Sequence, residues 1–471
     1  MQIIHLNTHI VLKHPVELKD KIKDIFTFTN PGYLSICKQR RLKKKDRPKG
    51  YIVTRFKEKG IWKSKKIPEF LRYWQNDKNN LKIPRGSFFE LKKFYKKNKI
   101  KYKLINERNQ FEKQDFKFYG QLLESKGQLA VQDYKSKIGI IQAPTGSGKT
   151  VMSLYLISKI NLNTIIVVHT NELLEQWKQR IKQFLKIKEI GHIGGGLTET
   201  GTITVALVQT LRKRPDLLVR FGLLIVDECH IAATESYGMV INQFNGPYIM
   251  GLSATPRRKD GKTNVMHWYL GQTKVLIDYS KAERTPCVAN FVGTEFKSKI
   301  NFRYKYSKAL VSLTENEERN NLIIETVLKN IEFFGVHLIL SQSSKHLKLL
   351  MNLLPDHIKL ISRLLIGAVP KKERKEIVKL MELGKVKLIF ATDKLLGTGF
   401  DEPLLSVLHL TTPIKDPDRI TQYIGRVTRI HPNKKLSQLF DYFDKYENIL
   451  RYGASARSKV YKDLGIEKKI N

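Results

Sequence analysis

Short apolar runs alternate with longer amphipathic segments over most of this 471-residue chain. From about residue 116 the runs are 138–142, 164–169, 203–208, 223–226 and 248–252, each rich in Ile, Val and Leu. Bounded runs of this kind, separated by helical lengths, predict parallel strands joined by crossover helices. The rhythm pauses between about 256 and 300 and resumes with 336–340, 387–391 and 407–410. A chain this long exceeds one compact core. The pattern predicts two tandem α/β domains, over 116–283 and 284–455, then a short tail over 456–471. Neither a short-period repeat nor a heptad array is present.

Residues 1–115 read differently. Strands near 50–56 and 101–105 flank a helix near Phe88–Lys97, which predicts a small α+β domain. Its interleaved aromatics, Trp62, Tyr73, Trp74, Phe88, Phe89, Phe94 and Tyr95, exclude a disordered arm, because disordered segments lack such residues.

Charge sharpens this division. The chain carries 85 Lys and Arg against 44 Asp and Glu, a formal charge of +41. Residues 1–115 hold 31 of the basic and 11 of the acidic residues, a net of +20, densest in Lys38-Gln-Arg-Arg-Leu-Lys-Lys-Lys-Asp-Arg-Pro-Lys49. Such a bias predicts a polyanionic partner, since each neutralised phosphate releases counterions. A Lys-, Ile- and Asn-rich codon bias is the other source of the same charge. Cys37, Cys229 and Cys287 form no metal-ligand pair and make a poor disulfide count. They argue for a reducing compartment and against zinc or an iron–sulfur cluster. No apolar run reaches about 18 residues, and the opening Met-Gln-Ile-Ile lacks a secretory n-region. A soluble intracellular protein with no membrane contact is expected.

Two segments carry chemistry. Gln142-Ala-Pro-Thr-Gly-Ser-Gly-Lys-Thr150 follows a predicted strand and opens an amphipathic segment, 151–159. A glycine-rich turn there aims backbone N–H groups at phosphate, and the helix N-terminus adds its partial positive charge. Ala143, Pro144, Thr145, Gly146, Ser147 and Gly148 would cradle ATP, Lys149 would reach its β- and γ-phosphates, and the Thr150 hydroxyl would ligate Mg²⁺. Ala143 departs from the strict pattern, which begins with Gly. The second segment, Leu223-Leu-Ile-Val-Asp-Glu-Cys-His230, ends a strand in two carboxylates. That is the edge where parallel sheets bind ligands. Asp227 would hold Mg²⁺, directly or through water, and Glu228 would polarise the attacking water as general base.

At this point the chain resembles the superfamily 2 helicases. Asp227-Glu-Cys-His230 is similar to their DExH box. Ser253-Ala-Thr255 resembles motif III, His169-Thr-Asn-Glu-Leu-Leu-Glu-Gln-Trp177 motif Ia, and Val208-Gln-Thr210 motif Ib. Ala391-Thr-Asp-Lys-Leu-Leu-Gly-Thr-Gly-Phe-Asp401 resembles motif V and Gln422-Tyr-Ile-Gly-Arg-Val-Thr-Arg429 motif VI. The match runs over about 116–455, in family order. It implies two RecA-like domains, ATP with Mg²⁺, and 3′→5′ travel. It implies nucleic-acid contacts at Thr170, Asn171, Gln209, Thr210 and Thr392. Coupling falls to His230, Ser253 and Thr255, and nucleotide contacts to Gly399 and Asp401.

Motif VI would supply a rigid, permanently charged donor to the γ-phosphate, which favours Arg over Lys. Arg429 is the first choice for the arginine finger, with Arg426 one helical turn away on the same face. Gln422, a turn earlier, would support the γ-phosphate. An adenine reader is expected ahead of the P-loop. Gln128, in Ser125-Lys-Gly-Gln128, fits, though Ser-x-x-Gln is also a capping box; Gln121 is the second candidate. Within the superfamily, Leu252-Ser-Ala-Thr-Pro-Arg-Arg-Lys-Asp-Gly261, Gly194-Gly-Gly196 and Glu228-Cys-His-Ile-Ala-Ala-Thr-Glu-Ser-Tyr237 resemble the XPB and phage UvsW branch. Poxvirus transcript-release helicases share a similar stretch from motif V to motif VI, and Ile83-Pro-Arg-Gly86 resembles a short segment of the phage helicases. The expected protein is a monomeric motor on duplex or branched DNA, with RNA as the alternative track.

Overall fold

The computed structural model describes residues 1–13, 18–40, 42, 47–49, 51–58, 61–256, 260–277, 283–367, 371–392 and 403–470. The chain divides into two compact units. Met1–Gln121, Ala130–Gln142 and Thr150–Leu276 form one; Leu122–Leu129, Ala143–Lys149 and Ile277–Asn471 form the other.

The first unit begins with alternation. Ile4, Leu6, Ile10 and Leu12 are buried at every second position, the period of a half-buried strand. The strands Gln2–Leu6 and His9–Leu12 pair antiparallel, Ile4 opposite Leu12. Tyr102–Asn106 adds in parallel on one side, and Asn80–Pro84 then Gln75–Asp77 on the other, giving five strands among the described residues. The helix Phe88–Lys97 buries Leu91 and Tyr95, one turn apart, and ends in Lys96 and Lys97, which suit its negative carboxyl end. The basic hairpin pairs Tyr51–Glu58 with Ile61–Pro68.

This basic region shares one core with the sheet that follows it. The contact is the helix Thr263–Leu270. Phe26 meets Trp268 edge-on and Tyr73 meets it tilted, with ring centroids 5.2 and 5.3 Å away, and Tyr73 meets Tyr269 at 6.1 Å. Gly86 of the Ile-Pro-Arg-Gly segment lies so close that an added Cβ would stand 2.6 Å from Gly271 N and 2.7 Å from the Trp268 carbonyl oxygen. Only glycine fits there.

The larger sheet has eight strands among the described residues. Its order is Leu197–Glu199, Gly191–Gly194, Ile203–Leu207, Thr164–Val168, Leu223–Val226, Tyr248–Ser253, Ile138–Gln142 and Thr273–Leu276. All neighbours are parallel except the edge hairpin 191–199. Thr164–Val168 and Leu223–Val226 are buried at every position, as strands covered on both faces must be. Gly194-Gly-Gly196 makes the hairpin turn, all three at positive φ.

Among the described residues the second unit holds a seven-stranded parallel sheet. Its order is Ser362–Leu365, Leu388–Thr392, Val336–Ser341, Leu405–Leu410, Ser437–Asp444, Cys287–Thr294 and Glu467–Ile470. The runs expected at 336–340, 387–391 and 407–410 are three of its central strands. The segment set apart above as a tail carries the second half of the helix Asn448–Asp463 and an edge strand, with Val288 opposite Glu467. Both large sheets are RecA-like in being parallel and helix-covered, and the small mixed sheet precedes them.

Candidate nucleotide-binding and hydrolysis site

The phosphate loop leaves the strand Ile138–Gln142 at the carboxyl edge of the first sheet, where Gln142 stands opposite Ser253. The helix Lys149–Ile160 begins directly after it. Gly146 and Gly148 take φ of 86° and 85°, a region closed to most side chains. Ala143 is absent from the positive-φ residues and is fully buried, so this turn uses no glycine at its first position. The Ser147 hydroxyl donates to the Pro144 carbonyl at 2.7 Å. Lys149 Nζ donates to the Ala143 and Pro144 carbonyls at 3.1 and 3.3 Å, which folds it over its own loop.

Gln128 reaches the same loop. Its amide donates to the Ser147 carbonyl at 2.7 Å, and its carbonyl accepts from Leu123 N at 2.9 Å. The side chain closes no capping box on Ser125; it braces the phosphate loop from below. Gln121 is exposed.

The acidic pair follows Leu223–Val226 at the same edge, with Val226 opposite Gly251. Asp227 Oδ1 accepts from Glu228 N at 2.9 Å. Glu228 itself holds φ 47°, ψ 51°, a left-handed conformation that costs a non-glycine residue about 1 kcal/mol or more. Strain of this kind persists where surrounding contacts impose it. His230 Nδ1 stands 3.2 Å from Glu228 Oε2. Burial pushes the His169 imidazole below its usual range, with Glu228 opposing and His230 adding to the shift. Tyr237 is pushed up by burial and by the negative charges of Asp227 and Glu228. Two adjacent carboxylates at this edge favour a cation. Among the described residues no three His, Cys, Asp or Glu side chains form a metal cage. Mg²⁺ requires none, because one or two carboxylates with substrate phosphates hold it. The hydroxyl of Thr150 and the carboxylate of Asp227 are oxygen donors of that kind.

Motif VI lies in the second unit, as do residues 143–149. The helix Pro417–Val427 starts on Asp416, whose side chain accepts from Asp418 N and Arg419 N. It brings Gly425 against the phosphate loop, where an added Cβ would stand 3.0 Å from Thr145 Cβ. Likewise a Cβ on Gly146 would stand 3.8 Å from Arg429 Cγ and 3.9 Å from its Nε. Gln422 and Arg426 lie on the helix, but Arg429 does not, which corrects the expectation of a shared helical face. The last helical bond runs from the Thr428 N–H to the Ile424 carbonyl, which also accepts from the Thr428 hydroxyl. The carbonyls of Thr428 and Arg429 are then taken by Thr285. Gly399 and Asp401 lie outside the described residues.

The remaining positions occupy strand ends. Thr170 caps the helix Asn171–Leu185, accepting from Leu173 N at 3.3 Å. Gln209 donates to the His169 carbonyl at 3.3 Å, which links motifs Ia and Ib. Thr210 sits on the short helix Val208–Leu211, and Thr392 ends its strand. The Ser253 hydroxyl accepts from Thr255 N at 3.2 Å. One residue that the sequence left without a role stands in this group. Trp177 donates its indole N–H to Asp227 Oδ2 at 2.8 Å. An indole at a buried helix position signals that a polar partner must exist, but sequence spacing does not say which.

A phosphate loop and an acidic pair on one parallel sheet, with arginines on a second, define a P-loop nucleotidase with two RecA-like domains. Two family models match the chain: the type III restriction enzyme, res subunit, over residues 106–258, and the helicase conserved C-terminal domain over residues 318–431. Over these two stretches the chain is similar to the superfamily 2 helicases. DNA 3′-5′ translocase XPB2 of Sulfurisphaera tokodaii is 35% identical over 204 residues, covering 41% of this chain and 43% of that protein. The aligned part thus spans less than half of that relative. Putative ATP-dependent RNA helicase L396 of Acanthamoeba polyphaga mimivirus is 24% identical over 412 residues, 83% of this chain and 77% of that protein. The Mycobacterium smegmatis helicase Lhr, solved bound to ssDNA and AMP-PNP, shares the fold with a TM-score of 0.55 at 17% identity. That match covers 73% of this chain and 48% of that one.

Proposed function

We propose that this protein is an ATP-driven DNA translocase or helicase acting on duplex or branched DNA. The observation that carries the reading is the carboxyl edge of the first sheet. There one turn presents Gly146, Gly148 and Lys149 after Gln142, and the next strand but one presents Asp227 and Glu228.

In this reading backbone N–H groups of the loop and Lys149 hold the phosphates. Mg²⁺, when bound, neutralises charge on the β- and γ-phosphates. Thr150 and Asp227 orient that ion, and Glu228 takes the proton of the attacking water. Arg429, with Arg426 and Gln422, stabilises charge at the γ-phosphate. Thr170, Asn171, Gln209, Thr210 and Thr392 face the nucleic-acid backbone, and His230, Ser253 and Thr255 relay the state of the nucleotide. The basic first 115 residues grip DNA through phosphate contacts, hence with little sequence preference.

The XPB2 relative's name supports DNA as the track. The mimivirus relative, named an RNA helicase and aligned over more of the chain, favours RNA as the second reading. ATP hydrolysis measured against single-stranded, duplex, forked and four-way DNA, and against matched RNA, separates the two. Forked or four-way DNA should stimulate most. Stimulation by RNA alone would make the DNA reading wrong.

A further inference from the structure

We propose that Trp177 is a positioning residue for hydrolysis: its indole N–H fixes the Asp227 carboxylate in the orientation that receives the divalent cation. This rests on the reading of Asp227 as the metal carboxylate.

The helix Asn171–Leu185 buries Leu174, Trp177, Ile181 and Leu185 along one stripe. Packing accounts for a large apolar side chain at 177. It does not account for a polar atom there, because burying an unbonded N–H costs free energy that Phe or Leu would avoid. Trp177 is 2% exposed and Asp227 8%, yet Nε1 meets Oδ2 at 2.8 Å. An indole offers one donor and no acceptor. It has no proton to lose at ordinary pH, and a ring held in a core cannot turn away. It therefore aims a carboxylate without titrating and without bringing a positive charge that would compete with a metal ion.

The other oxygen extends the effect. Asp227 Oδ1 accepts from the backbone N–H of Glu228 at 2.9 Å, the residue held at φ 47°. One carboxylate thus joins a core helix to the strained turn that carries the proposed base. If the indole donor is lost, Asp227 Oδ2 loses a fixed partner and the carboxylate is less closely held in the orientation proposed for the metal. Partners of this kind, one step removed from a metal, are worth about 10–100-fold in metal affinity.

The test is a Mg²⁺ titration of the binding of a fluorescent ADP analogue to the full chain, which needs no turnover. Trp177→Phe should raise the half-saturating Mg²⁺ concentration by about 10–100-fold and leave Mg²⁺-free binding of the analogue unchanged. Asp227→Asn should remove the Mg²⁺-dependent part, and adding Trp177→Phe to it should change nothing further. An unchanged midpoint in Trp177→Phe, with only a lowered melting temperature, overturns the proposal and leaves Trp177 as packing. If Asp227→Asn keeps the Mg²⁺ dependence, the site reading fails and the proposal with it. Should Trp177→Phe not fold, the indole ¹H–¹⁵N signals of the four tryptophans decide on the wild-type background. One must move in Asp227→Asn, and the same one on adding Mg²⁺ with ADP; four unmoved signals overturn the proposal.

Discussion

Buried carboxylates in the two units meet different partners. In the second unit Asp441 takes both arms of Arg457, at 2.8 and 2.6 Å, and the Tyr461 hydroxyl at 2.7 Å. Asp444 takes Arg319 Nε and the Thr294 hydroxyl, each at 2.7 Å. In the first unit the donors to Asp227 include an indole N–H and a backbone N–H. A guanidinium both orients a carboxylate and cancels its charge. Neutral donors orient it and keep the charge. The strand Ser437–Asp444 therefore uses its acids to close a core, whereas the acids at the end of Leu223–Val226 are those proposed above to meet a ligand.

The sharpest way to break this comparison is at the acid beside Asp227. Glu228→Gln keeps shape and hydrogen-bonding capacity but removes the base. ATP turnover should fall by about 10²–10⁴-fold, with the thermal midpoint within a degree or two of wild type. Near-wild-type turnover with a large loss of stability would move Glu228 into the company of Asp441.

The converse substitution is Arg457→Ala. It strips Asp441 of a bidentate partner inside the core and leaves a buried charge, which costs about 3–5 kcal/mol. The denaturant midpoint of the second unit should drop accordingly, and the residual folded protein should still bind nucleotide. A small change in midpoint would mean that water reaches Asp441 and that the pair is not structural.

These contrasts show which parts of the molecule were legible in the sequence. The P-loop and the acidic pair were, because each is a contiguous string whose strand fixes its place at the sheet edge. The parallel strands were, because runs of consecutive buried β-branched residues such as Thr164–Val168 have few other fates. The role of Trp177 was not, since its acceptor lies 50 residues away in sequence and is joined to it only by tertiary packing. The position of Arg429 was not, because Thr285, far upstream, pulls the chain out of the helix. Nor was the union of the basic region with the first large sheet. Phe26, Tyr73 and Gly86 look like a small domain's own core and turn until Trp268 and Gly271 are set against them. Removing residues 1–112 would therefore bare an aromatic surface as well as remove charge.

A finer test of the same contrast uses pH. The second unit also buries neutral polar groups: His337 stacks on His409 with centroids 5.7 Å apart, and His409 on Phe440 at 4.7 Å. Burial lowers the His337 imidazole to about 4, partly opposed by a backbone hydrogen bond at Phe333 and reinforced by the charge of Lys387. An unfolded chain titrates near the ordinary value of about 6.5. Above that pH both states are neutral and the histidine costs nothing. As pH falls below it the unfolded state takes up the proton first, so stability is lost at about 1.4 kcal/mol per pH unit until the folded pKa is reached. Between pH 7.5 and 5.5 the share of His337 is about 1.4 kcal/mol. His337→Phe should remove that share, so that urea midpoints of the variant at the two pH values lie closer together than those of wild type. An unchanged pH slope would mean that His337 is protonated within the fold, and the second unit would then hold a buried cation where neutral packing now stands.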